Sequence, residues 1–257
     1  MNVPLVLRED KQGVTTLTLN RGDRFNALSE AMLDALDSEL KAIATDAGVR
    51  VLVLAAAGKA FCAGHDLREM HQHSEEAYFQ DVFQRCCRLM MRLQKLPQPV
   101  IARVHGLTTA AGCQLVAMCD LAVAADTARF AVSGINVGLF CATPGVALSR
   151  NVSRKRAMEM LLTGDFIDAQ TALDFGLLNR VVSADGLDDE VAALCAAIVA
   201  KPAAAVSMGK RLFYKQSEMG MEAAYQLAAR TMAHNMMESS AQEGIRAFLE
   251  KRQPDWR

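Results

Sequence analysis

No run of five like charges occurs in the 257 residues, and 28 Lys and Arg against 29 Asp and Glu leave a formal net charge of -1. Binders of nucleic acid or of anionic membrane need a clustered basic footprint, so neither partner is expected and a small molecule is. Seven cysteines (Cys62, Cys86, Cys87, Cys113, Cys119, Cys141 and Cys195) form no CxxC pair. An odd number of thiols, mostly inside apolar runs, suits a reducing compartment better than a disulfide framework, and a cytoplasmic protein is expected. The N-terminal MNVPLVLREDKQG has no apolar stretch of signal-peptide length. GxGxxG, GxxxxGK[ST] and GxSxG are also absent, which removes the common dinucleotide, phosphate-loop and nucleophile-elbow signatures. His65, His71 and His73 have no Cys or carboxylate at ligand spacing, so no metal is expected.

What is present is a large apolar fraction, 51%, enough for one α/β core with an appendage. Residues 13–20 alternate and are rich in β-branched side chains, as a strand requires. Ser29 is placed to cap a helix whose Leu33, Leu36, Leu40 and Ile43 share one face. VLVLAAA at 51–57 reads as a parallel strand covered on both sides. Residues 58–73 read as a loop or short turn. A long helix opening near Ser74 then carries Phe79, Val82, Phe83, Cys86, Leu89, Met90, Leu93 and Leu96, and ends at Pro97 and Pro99. Strands follow at 100–104 and 121–125, separated by a small-residue turn (106–112) and a short apolar helix. Residues 130–149 hold no Asp, Glu, Lys or Arg, but their glycines and Pro144 break a membrane span; they read as a buried, loop-rich wall. Beyond Ser153 the chain reads as helical, apart from a strand near 178–182. The Lys201-Pro202 step marks a boundary between residues 1–200 and 201–257.

Two turns follow strands: Cys62-Ala63-Gly64-His65-Asp66 and Ala110-Ala111-Gly112-Cys113-Gln114. The first resembles the AGAD-type turn, and the second the GGGCEL-type turn, of the enoyl-CoA hydratase/isomerase (crotonase) family. Asn26-Ala27-Leu28, Ala157-Met158-Glu159-Met160, Leu162-Thr163-Gly164, Glu243-Gly244 and Phe248-Leu249-Glu250-Lys251-Arg252 match in the same order, so the resemblance covers nearly the whole chain. It implies an α/β spiral of ββα units over 1–200 holding an acyl-CoA site. It also implies a helical oligomerisation segment over 201–257 and a homotrimer or dimer of trimers. No cofactor is implied, because coenzyme A arrives as part of the substrate.

The resemblance assigns the backbone N–H groups of His65 and Ala111 to an oxyanion hole, where convergent donors stabilise the enolate-like oxygen of a thioester. It further implies acyl-CoA contacts at Arg24, Asn26, Ala27, Ala63, Asp66, Leu67, Gly112, Asn136 and Gly138. Met232 and Lys251 fall where a neighbouring subunit would meet the adenine end of coenzyme A. Hydratases of the family use two glutamates, which here fall on Gln114 and Gly134. An amide orients water without taking its proton, and glycine does neither. Weak hydration of 2-enoyl-CoA is therefore expected, to be raised by glutamate at 114 and 134 together if the glycine site tolerates the larger side chain. The His65 imidazole, Asp66, Glu69 and Cys141 are the substitutes in reach; Asp66 reads first as a turn-forming carboxylate, and Cys141 as a packed thiol. Gly64-His65-Asp66 with Asn136-Val137-Gly138 also resembles the family's methylmalonyl-CoA decarboxylases, so a carboxy-lyase and an acyl-CoA binder without turnover stand beside the hydratase.

Overall fold

A computed structural model describes residues 3–256. The chain order is β1 (Val6–Lys11), β2 (Val14–Leu19), α1 (Glu30–Ala44), β3 (Val51–Ala56), β4 (Ala60–Cys62), α2 (Leu67–Met70), α3 (Glu76–Lys95), β5 (Val100–Val104), β6 (Leu107–Thr109), α4 (Ala111–Met118), β7 (Leu121–Ala125) and β8 (Arg129–Ala131). It continues with α5 (Ala142–Leu148), α6 (Arg154–Thr163), β9 (Ile167–Asp168), α7 (Ala169–Asp174), β10 (Arg180–Val182), α8 (Leu187–Val199), α9 (Ala203–Gln216), α10 (Met221–Met236) and α11 (Ser239–Leu249).

Two sheets carry the spiral. The larger runs β1-β2-β3-β5-β7-β10 and the smaller β4-β6-β8-β9. Successive strand pairs split between them: β3, β5 and β7 enter the large sheet, β4, β6 and β8 the small one, and a helix follows each pair. All pairings except β1–β2 and β8–β9 are parallel. In β3, Leu52 and Leu54 enter the main core while Val51 and Val53 pack under α8 with Val191 and Cys195. A parallel strand covered on both faces must be apolar at every position, which explains its uninterrupted run.

Ser29 caps α1 as expected, its Oγ accepting from the Met32 N–H at 3.2 Å. The 58–73 and 106–112 segments differ from expectation, since they contain β4, α2 and β6. Strands of three residues are too short to display a period; only pairing to a neighbour defines them. Residues 130–149 differ as well. They form β8, a 3-10 turn over Ser133–Val137 and α5, and Val137, Leu139, Phe140 and Val146 are exposed rather than buried.

No single described helix is long and apolar enough to cross a membrane. Helix α9 starts directly after Pro202 and is held by a part-buried network: Lys210 Nζ donates to the carbonyls of Leu93 and Gln98 and to Asp120 Oδ2 (2.6 Å), while Tyr214 donates to Asp120 Oδ1. No residue of α9 or α10 is fully buried.

Candidate active site

The site begins at a parallel contact between Leu28 and the 64–66 turn. Leu28 N–H donates to the Gly64 carbonyl at 2.7 Å, and Asp66 N–H donates to the Leu28 carbonyl at 3.3 Å. This pattern engages the groups on either side of His65 and turns its own N–H to the opposite side. Gly64, at φ +90°, lies so close to the second turn that a Cβ there would stand 2.9 Å from Ala110 Cβ and 3.3 Å from Ala111 N. Only glycine fits this approach, which brings the His65 and Ala111 amides near each other.

Ala110 takes φ +49°, ψ -117°, a conformation that costs a residue with a Cβ roughly 1–3 kcal/mol. The strain serves to start α4 abruptly, so that Ala111 N–H belongs to the orphan donors of a helix's first turn. Neither His65 N–H nor Ala111 N–H donates to any acceptor among the described residues. Both residues line one cavity of about 300 Å³, with Leu67, Met70, Phe83, Gly134, Val137, Phe140 and Cys141 among its walls. A wider groove of about 760 Å³ between α8 and the outer sheet face contains neither residue, so volume alone does not pick the site.

The cavity walls include no Asp, Glu, Lys or Arg. The His65 ring stands edge-on to Phe83, centroids 5.3 Å apart, and its Nε2 is buried without a partner. Burial lowers its pKa to about 4, so the imidazole is neutral at physiological pH and a poor base. Burial pushes the Cys141 thiol up, against an opposing hydrogen bond from the Gly134 backbone.

Of the expected site residues, His65, Ala111, Gly134, Cys141, Ala63 and Leu67 meet in the cavity wall. Several others have different work. Gln114 is buried one turn into α4, outside the wall, with Oε1 unpartnered. Asn26 is fully buried, its amide donating to the Ala57 and Ala60 carbonyls and accepting from Arg21 N–H, so it braces the fold and has no side-chain group left for a ligand. Asp66 caps α2 through the Arg68 and Glu69 amides and pairs with Arg21 at 3.1 Å. Gly112 is required because a Cβ would run into the Cys62 carbonyl, a packing role. Asn136 donates to the Gly164 carbonyl, Gly138 closes the 3-10 turn at φ +80°, and their neighbours Val137 and Leu139 line the cavity instead. Ala27 is buried, whereas the Arg24 side chain is half-exposed beside Asp23; neither lines the wall. Met232 is exposed on α10 and Lys251 in the turn that follows α11, and neither reaches this cavity within the chain. Phe83 shares the apolar stripe of α3 with its core residues, and nothing in that spacing marks it as one that lines a cavity.

The family model for enoyl-CoA hydratase/isomerase matches residues 9–257. The chain belongs to the enoyl-CoA hydratase/isomerase family. An enoyl-CoA hydratase structure from Mycobacterium smegmatis superposes with a TM-score of 0.98 at 62% identity, covering 99% of both chains. Enoyl-CoA hydratase domain-containing protein 3, mitochondrial, is 46% identical in Homo sapiens (95% of this chain, 80% of that protein) and 43% identical in Xenopus laevis (99% and 87%). The mitochondrial naming of these relatives overturns the expectation of a cytoplasmic protein. Buried free thiols report only a reducing surrounding, which more than one compartment supplies, so cysteine usage could not locate the chain.

Proposed function

We propose that the protein binds acyl-CoA thioesters and acts on them as a hydratase-type lyase, polarising the thioester carbonyl between the His65 and Ala111 amides. The observation that carries this is the pair of backbone donors without an acceptor, on two residues that line one cavity with no charged side chain in its wall. In hydration, water oxygen adds to C3 of a 2-enoyl thioester, the displaced π pair becomes an enolate at the carbonyl, and C2 takes up a proton. Preorganised amides stabilise that enolate. The same walls offer no carboxylate to activate the water. Each positioned acid or base contributes about 10²–10⁴ in rate, so hydration is slow by on the order of 10⁴ or more.

A charge-free wall also favours a second reading, decarboxylation of a 2-carboxyacyl thioester. Loss of CO₂ leaves the same enolate and needs no carboxylate base, and no wall carboxylate repels the substrate's own. Incubation with crotonyl-CoA and with methylmalonyl-CoA, read by mass spectrometry, separates the readings: product from the first marks the hydratase, from the second the carboxy-lyase. Binding of both without turnover marks an acyl-CoA-binding protein, and binding of neither sinks all three.

The 201–257 segment is proposed as the assembly surface of a homotrimer or dimer of trimers. Phe213, Met221, Tyr225 and Phe248 stand largely exposed on α9 to α11, an apolar load that a monomer would leave in water. In that assembly Met232 and Lys251 serve a neighbour's coenzyme A, and Arg24 lies toward the nucleotide end. A monomeric mass at micromolar concentration counts against it.

A further inference from the structure

We propose that Cys141 is a covalent capture site for α,β-unsaturated acyl thioesters, its Sγ adding to the β-carbon of an acyl group seated in the cavity. The proposal rests on the acyl-CoA reading above. Three observations support it. Cys141 shares the cavity wall with His65 and Ala111, whose free amides mark where a carbonyl oxygen would sit. Its Sγ lies over bare backbone: a Cβ at Gly134 would come within 2.7 Å of the sulfur, so the thiol fills the space that a side chain at 134 would need. Nε2 of His65, in the same wall, is buried without a partner, a cost that a packed core avoids and a ligand site tolerates. Cys62, Cys86, Cys113 and Cys119 are buried and lie outside the wall.

The step is balanced without an external reagent. With the thioester oxygen held by the two N–H groups, the carbonyl draws electron density from the C2=C3 bond. Sγ bonds to C3, the π pair moves onto C2, C1 and oxygen as an enolate, and the thiol proton ends on C2. The product is a thioether that retains its coenzyme A thioester; nothing is oxidised or reduced and no group leaves. The thiolate is the reactive form and burial holds the thiol up, so capture is slow at neutral pH and accelerates with alkalinity.

The test is intact-mass and peptide-mapping analysis of the protein incubated with crotonyl-CoA at pH 7.5 and 9, beside Cys141→Ser and beside saturated butyryl-CoA. The expected result is a gain of one whole crotonyl-CoA mapped to Cys141. It should form about tenfold or more faster than at half-buried Cys87, proximity giving the advantage, and be absent with butyryl-CoA and in the serine variant. Hydroxylamine should strip the coenzyme A and leave the acyl residue on sulfur. Overturning results are no adduct while calorimetry detects crotonyl-CoA binding, an adduct that persists in Cys141→Ser, or a gain of the crotonyl group alone that hydroxylamine removes, which is acyl transfer. Absence of both adduct and binding heat removes the acyl-CoA reading itself.

Discussion

Gly134 and Cys141 occupy each other's space: a Cβ on the glycine would lie 2.7 Å from Cys141 Sγ and 2.6 Å from the Leu139 carbonyl oxygen. The sulfur can rotate away, but the carbonyl is backbone and cannot yield cheaply. The expectation that glutamates at 114 and 134 raise hydration therefore meets a steric obstacle that the sequence did not reveal.

Gly134→Glu should destabilise the protein by about 1–3 kcal/mol, the usual cost of overpacking, and Gln114→Glu/Gly134→Glu should fail to raise crotonyl-CoA hydration. Adding Cys141→Ala should recover only part of the stability, since the Leu139 clash remains. Urea unfolding and a hydration assay check both. A double glutamate variant of native stability and raised rate would refute the clash.

His65 makes stability depend on pH. Its folded pKa, about 4, lies below the ordinary 6.5 because burial disfavours the charged ring. The unfolded chain thus binds the extra proton first as pH falls, so the contribution is complete above about pH 6.5 and is lost on the way down to about pH 4. His65→Phe keeps the backbone N–H and should flatten that window by on the order of 2 kcal/mol. Unfolding midpoints for both proteins at pH 7.5 and 4.5 measure it; equal slopes would mean the ring is solvated.

Ala110→Gly should stabilise the fold by about 1 kcal/mol, because relief of roughly 1–3 kcal/mol of strain at φ +49° exceeds glycine's unfolded-state entropy. Acyl-CoA affinity should be unchanged, since the Ala111 amide stays in place. Differential scanning with and without acetyl-CoA reads both quantities.

Lys210→Met should cost about 3 kcal/mol, since it leaves the largely buried Asp120 carboxylate without its cation, with only the Val100 N–H and the Tyr214 hydroxyl to hold it. The loss should appear in urea unfolding and, because Lys210 ties α9 to the start of β5, in a weaker assembly. A variant within 1 kcal/mol of the parent on the roughly 3–5 kcal/mol scale of broken buried pairs would show that the ion pair is dispensable.

The sequence by itself determined the elements whose signal is local. The unbroken apolar run of β3, the Ser29 cap and four-residue stripe of α1, and the proline stop after α3 follow from side-chain chemistry over a few consecutive residues. The turns at 62–66 and 110–114, together with the further motifs that match in the same order along the chain, likewise carried the family resemblance. Tertiary structure decided what depends on a distant segment. Which amide stays free at 64–66 is set by the parallel pairing with Leu28, and Asn26 is engaged because the Ala57 and Ala60 carbonyls converge on it. Gly134 is closed to a side chain because Leu139 and Cys141 fold back over it, and Phe83 faces a cavity because the two turns leave one beneath it. A hydrogen bond or a steric limit belongs to a pair of groups, and a single position in a sequence carries only one of them.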